Sequence, residues 1–176
     1  FSKMYMPGLR LGFLIVPSYL QNKILMAKQV SDISTSGLIQ RAFDQYLPMD
    51  SMKEHMNKMN HLYKERFDTM IESIDAYIPK EIEFIKPLGG INFWIGLPNG
   101  YDTNVLYEKC LKQGVVFATG ENFFASTKDS RYIRLSIADT YPNQIRDGVR
   151  IIGQEIEKML LDNYSERINF RTRPIL

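Results

Sequence analysis

The sequence is poor in the residues that build disulfides and metal sites, with one cysteine and two histidines. Because Cys110 stands alone, no disulfide can form within the chain, which fits a reducing compartment, and we expect a cytoplasmic protein. His55 and His61 are spaced so that they do not share one face of a helix, which argues against a shared metal site. We therefore expect neither a disulfide framework nor a bound metal.

A strong charge imbalance and a long apolar run are lacking as well. The formal net charge is +2 at pH 7, which gives no electrostatic argument for binding to nucleic acid or to a membrane surface. The longest apolar run is far too short to cross a bilayer. With 44% hydrophobic and 24% charged residues, the chain has the composition of an ordinary globular domain.

A lysine and an arginine flank a Pro-Gly turn at the start of the chain, in the pattern Ser-Lys-x-x-x-Pro-Gly-x-Arg-x-Gly that begins at Ser2. A lysine amine that loses its proton can bond covalently to a carbonyl carbon, as required for cofactors that carry an aldehyde. The planar donor fork of arginine suits a phosphate group. Taken alone, the residue types favour Lys3 and Arg10 as surface cations beside a turn.

A second arginine of interest, Arg134, interrupts an otherwise apolar strand, Tyr-Ile-Arg-Leu-Ser-Ile. A buried guanidinium without a partner is strongly unfavourable, so Arg134 lies on a wet face of the sheet or meets an anion. The alternation that places Ile133, Leu135 and Ile137 on the opposite face favours the first alternative. Arg131 is expected to be solvated at the end of a loop.

Hydrophobic periodicity and breaker residues predict the order of the elements. Strands are predicted at residues 9–16, 82–85, 91–97, 115–118 and 132–138. Helices are predicted at residues 18–31, 38–46, 50–78, 103–113 and 140–164, with methionines and aromatics on the buried stripe of the third. We place the end of a larger domain at 1–47, a small domain at 48–164 and a basic tail at 165–176. The fold class is α/β, with a small α+β domain in which helices cover a sheet.

Both arginine-bearing segments resemble those of the fold-type I, class I and II aminotransferases, which depend on pyridoxal phosphate (PLP). The residues of these motifs are most similar to those of the aminotransferase-like domain of GntR/MocR-type transcriptional regulators. The resemblance rests on the Lys3 to Arg10 segment and on Ile-Arg-Leu-Ser after a Gly-x-x-Phe-Phe loop. Gly89–Trp94 and the spacing of Tyr63 and Arg66 add to it, so that it extends over nearly all of residues 1–161.

The resemblance implies a role for each of these residues. Lys3 would be the catalytic residue that binds PLP covalently, and Arg10 would bind the cofactor's phosphate, with Ser2 as a weaker phosphate ligand. Arg134 would bind the α-carboxylate of an amino acid. The family's further serine or threonine that contacts the phosphate would precede Phe1. Relatives build the site across a dimer, so a homodimer is expected.

The resemblance also implies that the chain is the C-terminal fragment of a longer protein. Other parts of the family's cofactor site lie upstream of the lysine, so we expect the isolated chain to bind PLP weakly or not at all, and not to transaminate. Three alternatives stay open. The full protein is an aminotransferase, or a regulator whose effector domain senses PLP or an amino acid and whose missing N-terminal domain binds DNA, or this chain is a structural remnant without a ligand.

Overall fold

The computed structural model describes residues 1, 5–125 and 131–171, with side chains described as far as residue 162. The chain forms two compact units, Phe1–His61 and Leu62–Leu176. The division falls within one long helix, and the domain boundary that we placed before residue 48 stays a prediction.

The first unit is helical. A short 3₁₀ helix, Pro7–Leu9, is followed by α1 (Ser18–Asp32), α2 (Gly37–Tyr46) and the start of α3 (Asp50–Tyr77). The hydroxyl of Ser36 caps α2 by accepting a hydrogen bond from the Ile39 amide, and α1 begins at Ser18 itself, which we had predicted as its cap. The limits of α1 and α2 agree closely with the predicted ones, because proline and glycine residues interrupt helices in this part of the sequence.

The strand predicted at residues 9–16 is wrong. Residues 10–17 are irregular, and the described residues of this unit include no strand that could pair with them. A strand exists only when a neighbour satisfies its backbone groups, so an apolar run alone cannot produce one. Phe13, Leu14 and Ile15 are consequently exposed. The helix α1 likewise buries none of its residues.

The second unit is a small α+β arrangement of a sheet and helices, as predicted, and the sheet is antiparallel. Its strands are β1 (Glu83–Phe84), β2 (Asn92–Gly96), β3 (Ala118–Thr119) and β4 (Tyr132–Ser136), in the order β1-β2-β4-β3. The helices are the rest of α3, α4 (Thr103–Leu111) and α5 (Pro142–Arg171). The two long strands, β2 and β4, lie side by side in the middle, so that each carries part of the same two sheet faces.

Two further predictions need correction in this unit. Residues 115–117 are not part of a strand, since the Val115 amide donates to the Cys110 carbonyl at the end of α4 and not to a neighbouring strand. The helix α5 continues to Arg171, beyond residue 165 where we expected an irregular tail to begin. Extending an existing helix costs far less than starting one, and neither glycine nor proline interrupts residues 154–171.

Helices cover one face of the sheet and form the core with it. The methionine-rich stripe of α3 and the aliphatic stripe of α5 both contribute buried residues, which confirms their predicted orientation. Burying one aliphatic side chain of this size contributes about 1.5–3 kcal/mol. No helix in the described part of the chain is both long and apolar enough to span a membrane. The central core residues are Met70, Ile74, Phe93, Ile95, Leu106, Ile133, Leu135, Ile137, Val149, Ile152 and Ile156.

The long helices come close together at Gly153 of α5. A Cβ atom placed there would lie 2.1 Å from the carbonyl oxygen of Tyr77, at the end of α3. In Gly148 of the same helix, the nearest atom to an added Cβ would be the Val115 Cγ1, at 3.9 Å. The two glycines therefore form a matched pair with opposite expected effects.

We predict that Gly153→Ala destabilises the protein by about 1–3 kcal/mol, because the backbone of α3 must move away. Gly148→Ala should instead stabilise it by up to about 1 kcal/mol, through the higher helix propensity of alanine. Denaturant unfolding of both variants measures this difference. Equal effects of the two substitutions would contradict the close packing of α5 on α3.

The thiol of Cys110 is completely buried in α4. Burial, and secondarily the negative charge of Glu155, raises its pKa to about 11. The folded state therefore holds the proton more tightly than the unfolded state does. This contribution to stability is complete below the pKa of an unfolded thiol, near roughly 8.5, and is lost as the pH rises through the folded value.

We expect the free energy of unfolding to fall between the pKa of an exposed thiol and about 11, the pKa of Cys110 in the folded protein. Cys110→Ala, which lacks a titrating group at this position, should show a shallower fall. Denaturant titrations of both proteins across this range measure the two slopes. Parallel slopes would show that the thiol titrates alike in the folded and unfolded chains.

Candidate functional site

The candidate site lies on the face of the sheet opposite the helices. Phe93 and Ile95 of β2 and Ile133 and Leu135 of β4 point into the core, and the residues between them occupy the other face. This alternation follows from the two-residue period of a strand. We call this second surface the open face, and its long-strand residues are Asn92, Trp94, Gly96, Tyr132, Arg134 and Ser136.

Arg134 is at the centre of the open face. In the register of the sheet its Cα partners are Trp94 on β2 and Ala118 on β3. Its Nε atom is buried and has no hydrogen-bond partner in the part of the chain that the structure describes. The guanidinium carbon lies 4.7 Å from the centroid of the Phe123 ring. Arg134 is thus held by aromatic contact and retains donors for an anion.

A depression of about 330 Å³ opens beside this arginine. Its walls are largely apolar, and Arg134 is the charged residue among those that line it, together with Asn92, Phe93, Trp94 and Phe123. Apolar walls weaken the competition of water for the guanidinium, so an anion bound here would interact more strongly than on an open surface. A carboxylate matches the planar donor fork of arginine with two parallel hydrogen bonds.

Aromatic rings fix the wall of this depression. The rings of Trp94 and Tyr132 stack at a centroid distance of 5.3 Å and an angle of 17°. Phe123 meets Trp94 edge-on, at 5.6 Å and 90°. The Tyr132 ring can lie across β2 because Gly96 has no side chain, and a Cβ atom there would come within 2.6 Å of the ring.

Arg131 has a different environment, although it lies close to Arg134 in the sequence. It donates to a carboxylate oxygen of Glu83 at 3.2 Å and to the Tyr132 hydroxyl, and its guanidinium lies over the Tyr132 ring. We had expected a solvated side chain, whereas the structure gives Arg131 a salt bridge at the sheet edge. Its charge is therefore compensated within the protein.

In the first unit, Arg10 ends the 3₁₀ helix with a left-handed backbone conformation, at a φ angle of 50°. Such a conformation is uncommon for a residue with a side chain. The Arg10 side chain is exposed, and its one hydrogen bond within the described residues is a long one, from Nη1 to the Pro7 carbonyl at 3.5 Å. The turn thus presents a donor fork suited to a phosphate.

Lys3 and Ser2 lie outside the described residues, so their predicted roles stay predictions. The residues on either side of them are anchored on α2 within the first unit. The ring of Phe1 lies 4.4 Å and that of Tyr5 6.0 Å from the ring of Phe43. A hydrogen bond with Tyr46, reinforced by burial, raises the pKa of Tyr5. These contacts hold the rings of Phe1 and Tyr5 against α2.

The lining of the depression was not predicted from the sequence. Trp94 could have been found, since the period of β2 places it on the same face as Arg134 once the two strands are paired. Asn92 follows from the same argument. Phe123 belongs to the Gly-x-x-Phe-Phe segment that contributes to the resemblance, but its contact with Arg134 could not have been predicted, because it ends a short 3₁₀ helix, Gly120–Phe123, that lies outside the period of the strands.

Residues 1–152 match the family model described as "Aminotransferase class I and II". The chain is 31% identical over 160 residues to the 2-aminoadipate transaminase of Thermus thermophilus, a match that covers 91% of this chain and 40% of the relative. It is 25% identical over 158 residues to YdfD, an HTH-type transcriptional regulator of Bacillus subtilis, covering 90% of this chain and 32% of YdfD.

A solved structure shares the fold. The α-aminoadipate aminotransferase LysN of Thermus thermophilus, in complex with N-(5'-phosphopyridoxyl)-L-leucine, superposes with a TM-score of 0.78 at 31% sequence identity. The match covers 91% of this chain and 41% of LysN. The chain therefore spans about two fifths of the length of the transaminases that it matches.

The contact between Phe123 and Trp94 gives a direct test of the open face, because Trp94 is the one tryptophan of the chain. We predict that Phe123→Ala shifts the tryptophan emission to longer wavelength, since the edge of the indole loses its aromatic cover and meets water. The matched control is Tyr19→Ala, which removes an exposed ring from α1 and should leave the emission unchanged. An unshifted spectrum for Phe123→Ala would contradict the described wall.

Proposed function

The chain belongs to the class I and II aminotransferase family, and we propose that the full protein transfers the amino group of an α-amino acid to a 2-oxo acid with the help of PLP. The observation that carries the proposal is the buried Nε of Arg134, a donor without a partner in the described residues. The Arg134 side chain lines a depression in which its guanidinium is the charged group. A site of this kind matches the carboxylate that every α-amino acid carries.

The described donor set is compatible with the proposed cofactor at one position. The turn at Arg10 offers a guanidinium with free donors for a phosphate. We propose that Arg10 holds the phosphate of PLP, that Lys3 binds its aldehyde carbon covalently, and that Ser2 is a further phosphate ligand. When bound, PLP supplies an electron sink for the bond that is broken at the substrate's Cα atom.

The protein's own residues would then bind, orient and move a proton. Arg134 would hold the substrate carboxylate through two hydrogen bonds, and Arg10 would hold the opposite end of the reacting assembly. Fixing both ends aligns the Cα–H bond for reaction, and such alignment can lower a barrier by several kcal/mol. The amine of Lys3, once free, would act as general base and acid at Cα.

The proposed substrates are α-amino acids whose side chains contact largely apolar walls. One of the relatives described above is named a 2-aminoadipate transaminase, and the structure of LysN contains N-(5'-phosphopyridoxyl)-L-leucine. L-2-aminoadipate and L-leucine are therefore the first amino donors to compare. Asn92 and Trp94, which line the depression, are the described residues best placed to distinguish them.

We also propose a homodimer located in the cytoplasm. The first unit leaves several large apolar side chains exposed, including Phe13, Ile15, Val30 and Ile33. Either the remainder of the full protein or a second subunit could cover this surface. Light scattering of the full protein distinguishes a monomer from a dimer. A dimer would agree with the expectation from the family resemblance.

A second candidate function is that of an effector domain in a transcriptional regulator. The relationship to YdfD favours it, and so do further HTH-type regulators related at 24–26% identity over about nine tenths of the chain. In this case Lys3, Arg10 and Arg134 would bind the same ligands without turnover, and a separate N-terminal domain would bind DNA. Sequence-specific DNA binding by the full protein, together with no transamination of any amino donor, would favour the regulator.

We predict that Arg134→Gln lowers kcat/KM of the full protein for both amino donors by about a hundredfold or more, because a bidentate charged contact is lost. Arg134→Lys should recover part of the loss, since its ammonium provides charge without the planar fork. Transamination with 2-oxoglutarate as acceptor measures these effects.

The matched control is Arg131→Gln, which removes a neighbouring arginine whose charge is paired with Glu83. It should change kcat/KM little, since a partly exposed salt bridge contributes about 1 kcal/mol or less. Lys3→Ala serves as the blank, because it removes the proposed covalent attachment and the proton carrier. Equal losses for the Arg131 and Arg134 variants would refute the assignment of the carboxylate site to Arg134.

A further inference from the structure

One more arginine of the second unit lies in an environment that the proposed mechanism does not use. Arg66, in the middle of α3, is 8% exposed. Its Nη1 atom donates to two successive backbone carbonyls, Ile137 at 3.1 Å and Ala138 at 2.8 Å. The ring centroids of Tyr63 and Tyr141 lie 5.9 and 6.0 Å from its guanidinium carbon. In the described residues no carboxylate pairs with it.

A buried cation that contacts only carbonyl oxygens and aromatic rings is energetically unfavourable compared with an apolar residue. Removing a guanidinium from water costs several kcal/mol, and an apolar residue of similar volume would avoid that cost. The two carbonyls explain why a donor is needed, since a buried carbonyl without a partner is itself unfavourable. The role of Arg66 therefore depends on the position of Ile137 and Ala138 in the fold.

Both carbonyls belong to the segment that leaves β4 immediately after Arg134 and Ser136. The Ile137 amide donates to the Ile91 carbonyl at 3.0 Å, which continues the β2–β4 ladder beyond its last pair, Asn92 and Ser136. Ile137 is thus held on its amide side by the strand that carries Asn92 and Trp94. On its carbonyl side it is held by Arg66.

This arrangement fixes the end of the two strands that form the open face. Without Arg66, the carbonyls of Ile137 and Ala138 would lose their donor, and the adjoining end of β4 would lose two hydrogen bonds to α3. Arg134 lies on that strand opposite Trp94, so its guanidinium would no longer be held at a fixed position beside Asn92 and Phe123.

We propose that Arg66 is a positioning residue for the carboxylate site, acting on Arg134 through the backbone of Ile137 and Ala138. This inference rests on the proposed function, because it assumes that Arg134 binds the substrate carboxylate. Arg66 itself touches neither substrate nor cofactor. Its loss should therefore weaken binding of the amino donor more than it slows the chemical step.

The test uses the full protein with PLP bound, with L-2-aminoadipate and L-leucine as amino donors and 2-oxoglutarate as acceptor. Arg66→Met keeps most of the volume but removes both hydrogen bonds to the carbonyls. It should raise KM for both amino donors about tenfold, which is equivalent to the loss of one charge-assisted hydrogen bond between Arg134 and the substrate carboxylate. The value of kcat should stay within about threefold. Arg66→Lys, which keeps a charged donor, should restore most of the affinity.

Thermal unfolding of each variant separates positioning from a loss of folded protein. The inference is overturned if Arg66→Met unfolds cooperatively and has an unchanged KM. It is also overturned if the KM of Arg66→Met is unchanged and its kcat falls only in proportion to the folded fraction. A failure of Arg66→Lys to restore affinity when it restores the melting temperature also overturns it.

The Arg134→Gln variant distinguishes the two proposals. If that variant too keeps a normal KM, the assignment of Arg134 itself fails, whereas a raised KM in Arg134→Gln alone removes only the role of Arg66.

Discussion

The antiparallel pairing of β2 with β4 is the constraint on which the second unit depends. This ladder places Phe93, Ile95, Ile133 and Leu135 together on the core side and Trp94 opposite Arg134 on the other. A shift of the register by one residue would exchange the two faces and bury a guanidinium in the core. The same hydrogen bonds that build the core therefore also define the candidate site.

Three arginines of this unit show how one residue type is used in three environments. Arg131 is paired with Glu83 at the sheet edge. Arg66 donates to backbone carbonyls and contacts aromatic rings within the protein. Arg134 keeps a buried donor without a partner in the described residues. A protein tolerates the last situation where an anionic ligand completes it. This contrast, more than the presence of an arginine, is the reason for proposing Arg134 as a binding residue.

Much of the second unit could be predicted because its signals are local. The apolar stripes of α3 and α5, the break at Gly114 and the alternation in β4 depend on residues close together in the sequence. The predictions failed where pairing at a distance decides. Residues 9–16 have the composition of a strand, but a strand also needs a neighbour, and Val115 bonded to the end of α4 instead of extending β3.

The sequence by itself determined the family, through the spacing of Lys3, Pro7, Gly8 and Arg10 and through the strand around Arg134. It also determined which side chains of each strand share a face, because that depends only on the two-residue period. Only the tertiary structure decided that Trp94, Asn92 and Phe123 surround Arg134 and that Arg66 holds the strand beyond it. Those contacts join residues far apart along the chain, and hydrogen-bond register and close packing, which have no local signature, select them.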